Sequence, residues 1–469
     1  MLQCMESDLS KEKARIDKTK IFESMKVSKA LTIMALPTVL SQVIILAYNL
    51  ADTYFIGTTN NPYMIGATSL VLALYLMLVV IANLFGVGGG NLMVRLLGQK
   101  DIEEAKKVAS FTMMWSAISA LVFSLLCLAL MNPLLRLFGA SDEVIGYAKE
   151  YMLFTVVIGG VPTVLAMALP MLIRNVGYAK EAGFGVASGA LLNIGLDPLF
   201  MFVIFPAGKE VVAAGIATLI SNIIATIYFI VVIIVLRNKT ILAIPHKFEK
   251  LSSTSLKSFF FVGVPAGLIM LLFNILGVVL NRLAAQYSDL VLASTGILLK
   301  VERLPQNIAL GVCLGMVPCV GYNYARKDYK RMDKFFTSSL IVTQVIAVIS
   351  TILFYFLAEQ IMSIFINDEE IIKVGSKFIK ARCFSIPFMV FGFQVINYMQ
   401  AINHGKISLL LTIIRHLVLS IPLMLIMNRT LGIDGLIWSQ TIADVINAFI
   451  SIFFYFLIRK RITLIGSNT

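Results

Sequence analysis

The sequence predicts an all-α integral membrane protein in which twelve transmembrane helices form two six-helix lobes, related by pseudo-two-fold symmetry along the membrane normal. Three observations predict it. Of the 469 residues, 58 % are hydrophobic and only 14 % are charged, a balance that excludes a soluble core of this size. Apolar runs of about 20 residues, enough to cross a roughly 30 Å hydrocarbon layer, recur twelve times along the chain. The two halves also repeat each other at an offset close to 227 residues, the kind of internal symmetry on which many transporters are built.

The runs lie near 31–56, 63–87, 108–131, 147–171, 183–205 and 212–236, then 258–281, 290–319, 335–357, 376–401, 407–427 and 434–458. Lys and Arg orient them, because positive loops stay cytoplasmic. Basic residues crowd the amino terminus, the loop after helix 2 (Arg95, Lys100, Lys106, Lys107), the linker after helix 6, the segment Arg326 to Lys334 and the end Arg459-Lys460-Arg461. The opposite loops hold at most one each, beside Asp142, Glu143, Asp368, Glu369 and Glu370. The expectation is a multi-pass protein of the cell membrane with both termini cytoplasmic. Its divisions are a tail at 1–28, a first lobe at 29–236, a linker at 237–257, a second lobe at 258–458 and a tail at 459–469. The net charge of +13 follows from this asymmetry and from anionic headgroups, with no need of nucleic acid. The first 28 residues are charged and lack the apolar stretch of a signal peptide. Five cysteines and three histidines show neither metal-ligand spacing nor a disulfide framework, so packed thiols are expected.

The repeat is carried by a series of matched positions. Pro37 answers to Pro265, Gln99-Lys100-Asp101 to Arg326-Lys327-Asp328, Leu137-Phe138 to Ile364-Phe365, and Pro198-Leu199 to Pro422-Leu423. Six helices per half is an even number, so both halves enter from one side and the relating axis runs along the membrane normal.

Within this apolar background, Asn193-Ile194-Gly195-Leu196-Asp197-Pro198 places a carboxylate and an amide one turn apart. A carboxylate in hydrocarbon costs roughly 2.5 to 3.5 kcal/mol on insertion scales, which marks it as functional. Pro198 cannot donate to the carbonyl of Ile194 and frees that oxygen. A hard-oxygen corner of this kind suits a proton or a sodium-like cation. At 1.5 Å per residue, Asp197 lies about 22 Å along helix 5, Asp52 near the outer end of helix 1, and Thr218 roughly 9 Å into helix 6. The three levels agree. Asn49 shares a face with Asp52, Asn193 with Asp197 and Asn222 with Thr218, so one polar site is expected in the outer half of the first lobe. Two carboxylates converging there cannot both stay ionised cheaply unless a cation sits between them.

The first-helix pattern Pro37…Gln42…Tyr48-Asn49…Asp52-Thr53…Gly57, the run Gly88-Gly89-Gly90-Asn91…Arg95…Gly98 and Asn193…Asp197-Pro198 together resemble the multidrug and toxic compound extrusion family. The resemblance spans residues 30 to 458. It implies two lobes around a V-shaped cleft, alternating access, and export of cationic amphipathic compounds against sodium or proton entry, with no further cofactor. It also implies a cation site at Asp52, Asn193, Asp197 and Thr218, and no metal beyond sodium there. Pro37 supplies a bend at which helix 1 can rearrange.

The second lobe departs from relatives that place acids in helices 7 and 10. Helix 7 offers Asn274 and Asn281, and helix 10 Gln394 and Asn397. Its intramembrane charges are read instead as Lys300, Glu302 and Arg303 in helix 8, with Arg415 and Asp444 placed to pair between helices 11 and 12. Glu302, flanked by two cations, is a candidate for substrate or proton contact, and Lys300 and Arg303 join it in the cleft. The 22 Met and 31 Phe suit a re-packable wall, for which Met34, Met167, Met171, Phe391 and Phe393 are candidates. Partners are expected to be small cationic molecules and membrane lipids, and the protein a monomer. The alternative function is a flippase for a lipid-linked oligosaccharide, which would need several cleft cations. An enzyme is excluded by the lack of His-Glu-x-x-His, Gly-x-Ser-x-Gly and clustered His/Asp ligands.

Overall fold

The computed structural model describes residues 18–59 and 61–467. Residues 1–17, most of the expected amino-terminal tail, and Cys4 with them, lie outside the described residues. The first lobe contains α1 (Val27–Gly57), α2 (Pro62–Gly98), α3 (Ile102–Ala129), α4 (Met131–Leu137), α5 (Asp142–Met152), α6 (Gly160–Asn175), α7 (Ala179–Leu199) and α8 (Glu210–Leu236). The second contains α9 (Ser253–Ala284), α10 (Asp289–Ala325), α11 (Tyr329–Phe356), α12 (Ala358–Phe365), α13 (Glu369–Cys383), α14 (Ile386–Ala401), α15 (Gly405–Ile413) and α16 (Ile421–Ser467).

These elements make the twelve expected spans. Among the described residues nine helices are long and apolar enough to cross a membrane, and two bent pairs, Asp142–Ile158 with Gly160–Asn175 (48°) and Glu369–Cys383 with Ile386–Ala401 (50°), are long and apolar enough to make one span each. The last helical run, Gly405–Ile462, divides at Gly432, whose φ of 63° and ψ of −139° turn the chain back. Only a residue without Cβ enters that region at little cost.

The repeat seen in the sequence is a repeat of backbone geometry. Lys100 and Lys327 both adopt positive φ, at 65° and 63°. The aspartates that follow them, Asp101 and Asp328, cap α3 and α11 by accepting from Glu104 N and Arg331 N at 3.1 and 3.0 Å. An N-cap of this type is worth about 1 kcal/mol. Gly177 and Asn403 end α6 and α14 with the same left-handed turn, at 92° and 65°. Each lobe bends its fourth span, and each widens its fifth into a π-helical segment, at Phe200–Ile204 and at Ile414–Ser420.

The lobes meet along two seams, α2 against α9 and α1 against α10. Backbone touches backbone there. A Cβ on Gly88 would lie 2.9 Å from Gly263 Cα, and one on Gly315 would lie 2.6 Å from Ala35 Cα, so glycine is what allows the helices to close, as in other small-residue helix interfaces. Both contacts fall at the ends of α2 and α10 and the beginnings of α1 and α9, the side that carries the Lys- and Arg-rich loops. A strap ahead of α1 crosses the same side. Arg331 donates to the carbonyls of Phe22 and Met25 at 2.6 and 2.5 Å, Asn323 donates to Phe22 O at 3.1 Å, and Arg326 pairs with Glu23 at 2.8 Å.

Candidate functional site

In the first lobe, α7 and α8 pack side by side and set Asn193, Asp197 and Thr218 together. Asp197 is fully buried and Asn193 is 2 % exposed. With its amide nitrogen toward the acid, Asn193 donates to Asp197 Oδ2 at 2.8 Å while its oxygen accepts from Thr218 N at 3.2 Å. The amide thus offers the carboxylate a donor while its own oxygen is satisfied by the neighbouring helix. Asp197 Oδ1 has no partner among the described residues. Beyond Pro198 the helix continues into the π segment, so the proline widens the helix without ending it.

Asp52, half-buried on α1, lies within electrostatic reach of Asp197 and of the hydroxyls of Tyr48, Tyr75 and Tyr151. Neither aspartate is ion-paired among the described residues. Asn222 donates to Thr163 at 2.9 Å and lines, with Asn193, Thr218 and Tyr75, a cavity of about 130 Å³. Met167 lines it too. Tyr75, Tyr151 and Thr163 are not among the residues expected from the sequence, and Tyr48 enters there only as part of the first-helix pattern. Their signal was faint, since a tyrosine one or two turns from an intramembrane acid also reads as an interfacial aromatic.

The second lobe assembles its charges differently. Arg415 donates to Asp444 Oδ1 at 2.7 Å, the expected pair. Glu302, however, is not held by its neighbours Lys300 and Arg303. Arg382 takes it in a two-pronged contact, Nε to Oε1 at 2.5 Å and Nη2 to Oε2 at 3.1 Å, and also faces Asp444 Oδ2 at 3.6 Å. All four side chains are nearly sealed from solvent. Arg382 was missing from the expected set because the kink at α13/α14 carries it into the lobe interior, and it sits near the start of its apolar run where a cation usually snorkels. Lys300 is half-buried and Arg303 exposed. Glu302, Arg303, Arg382 and Arg415 line a cavity of about 380 Å³.

Between the lobes lies a third cavity of about 240 Å³, with Met171 and Phe393 in its wall. Phe393 stacks on Phe273 with ring centroids 5.2 Å apart, and Arg415 lies over both rings. Two expected wall residues are elsewhere. Met34 is fully buried in the apolar core that the lobes share, and Phe391 packs against that core, because the seam at Ala35 and Gly315 closes over that face of α1. Gln394 is fully buried and accepts from Cys313 Sγ at 2.6 Å. Among the described residues no three His, Cys, Asp or Glu side chains converge.

The MatE family model matches residues 37–199 and again residues 265–426, one match per lobe, each opening on the proline of a first span. The chain belongs to the MatE family. Its MatE relatives include the multidrug export protein MepA of Staphylococcus saprophyticus, 30 % identical over 443 residues, or 94 % of this chain and 96 % of that protein. The multidrug export protein MepA of Staphylococcus aureus matches at the same identity and coverage. Among solved MatE-type structures, the outward-facing conformation of a multidrug resistance transporter of the MOP superfamily superposes with a TM-score of 0.89 at 23 % identity, over 97 % of this chain and 99 % of that one. A MATE crystal structure in complex with MaL6 gives the same score and identity. The likeness extends through both lobes, so the fold of this MatE protein is that of a MATE transporter.

Proposed function

We propose that the protein is a secondary active multidrug exporter that moves cationic amphipathic compounds out of the cell by antiport with sodium or protons. Its supports are the MatE membership, the relatives named multidrug export proteins, and above all one observation. The first lobe buries Asp197 beside a second acid, Asp52, with no cation among the described residues to neutralise them. A buried acid beside a half-buried one, without a counter-ion, calls for a cation that comes and goes.

In this reading the Lys- and Arg-rich side is cytoplasmic, and the glycine seams hold the lobes closed toward it while the cleft opens outward. A coupling ion would reach Asp52 and Asp197 from outside. The Asn193 amide would hold the ionised Asp197 by its hydrogen bond until the coupling ion binds, and helix 1 would respond at Pro37. The flippase reading requires several free cations in one cleft, whereas Arg382 and Arg415 are engaged by Glu302 and Asp444 and, among the described residues, Arg174 is the only charged side chain on the wall between the lobes. Ethidium efflux from reconstituted vesicles under separately imposed sodium and pH gradients tests the proposal. Efflux driven by one of them supports it, and efflux indifferent to both overturns it. Monomers in lipid would suffice for this cycle.

A further inference from the structure

The cavity between the lobes has a polarity opposite to that of the first-lobe site. The only charged side chain on its wall among the described residues is Arg174, in the last turn of α6 and 5 % exposed. No carboxylate pairs with it, and its Nε–H has no acceptor among the described residues. Arg95, equally buried one helix away, is satisfied by Asn91 O at 3.1 Å and Ser258 Oγ at 3.0 Å. Among the described residues Arg174 has nothing comparable, although Asn175 beside it keeps an unused Oδ1. Asn91, 2 % exposed, lines the same cavity with its Nδ2 hydrogens also unused.

A buried guanidinium without an anion is among the costlier arrangements a protein can hold. Here it is combined with a second idle donor and with apolar walls, the stacked Phe273 and Phe393. Donors and a positive charge at one end, with stacked rings at the other, match a molecule carrying one acidic group on an apolar body.

We propose that this cavity binds amphipathic anions, Arg174 and Asn91 clasping a carboxylate or phosphate while the apolar body lies against Phe273 and Phe393. The site uses neither Asp52 nor Asp197 and stands whichever ion drives transport. Two sources share this chemistry, an acidic compound in transit and a phospholipid headgroup.

The probe is 11-(dansylamino)undecanoic acid, with its uncharged methyl ester as control, titrated by fluorescence into the full-length protein in uncharged detergent. The acid should bind at least about tenfold more tightly than the ester, as for hydrogen bonds to charged groups. Arg174→Gln should remove that preference and leave the ester unchanged. Leu314→Trp, which fills the cavity with the guanidinium kept, should abolish binding of both, and it decides the matter if Arg174→Gln does not fold. Competition separates the sources. Displacement by short-chain phosphatidylglycerol but not by phosphatidylcholine or decanoate assigns a lipid phosphate, and displacement by decanoate assigns an organic acid. Equal affinity for acid and ester in the wild type, undiminished binding in Leu314→Trp, or displacement by none of the competitors overturns the proposal.

Discussion

The two lobes share one backbone plan and solve the problem of buried charge in opposite ways. In the first, Asp52 and Asp197 are surrounded by neutral hydroxyls and amides, and one oxygen of Asp197 has no partner among the described residues. In the second, Glu302 and Asp444 are each met by a guanidinium, at 2.5 and 2.7 Å. The same scaffold therefore holds one site whose acids face no cation among the described residues and one whose acids are each matched by a guanidinium. A buried ion pair gives shape and order, while an unpaired acid gives something for an ion to do.

The largest effect expected from breaking this contrast is at Asp197. Asp197→Asn keeps size and one acceptor but removes the charge, and it should abolish drug resistance in a sensitive host while membrane insertion stays normal. Wild-type resistance at normal expression would remove Asp197 from the mechanism. In the second lobe the same kind of change should damage folding first. Arg415→Met leaves Asp444 short of a partner and should cost about 3 to 5 kcal/mol, whereas adding Asp444→Leu should largely restore stability. Arg382 is left with Glu302 in that double variant, so its charge stays matched. Thermal unfolding in detergent reads the cycle, and additive losses would show that the two residues are independent.

Coupling comes next in size. Proton or sodium and a lipophilic cation compete for the same negative charge, so affinity for a fluorescent lipophilic cation should rise from acidic to alkaline pH or fall on adding sodium. The change should lie within about 5 to 150-fold, the range of couplings of roughly 1 to 3 kcal/mol, and Asp197→Asn should flatten it. A flat wild-type profile with transport still gradient-driven would move coupling elsewhere, to Glu302 first. The smallest effect belongs to Thr218→Val, which removes one neutral hydroxyl beside Asn193 and should weaken sodium or proton dependence by about fivefold, in line with about 1 kcal/mol for a hydrogen bond. No change would leave Thr218 as a packing residue.

The fold was legible because a bilayer enforces length and polarity on every span, and because the repeat kept its turn chemistry at Lys100-Asp101 and Lys327-Asp328. Asn193, Asp197 and Thr218 were legible for a related reason, since helical rise along antiparallel neighbours sets their levels. What depended on bends was not. Arg382 reaches Glu302 because the fourth span of its lobe turns by 50°, and composition does not report a bend of that size. Nor does it report that α1 closes over Met34, which follows from glycine contacts spread over two helices. The three tyrosines around the aspartates belong to α1, α2 and α5, and only packing brings them together.

The strap of residues 18–25 gives the seam a second property. It is continuous with α1 of the first lobe yet its carbonyls and Glu23 are held by Arg326, Asn323 and Arg331 of the second. Parting the lobes on this side must therefore either carry the strap away with the second lobe or release its bonds together. In kinetic terms that is a catch: it adds to the barrier for opening without changing what either lobe binds, so trimming it would be read in the rate of turnover before it is read in any affinity.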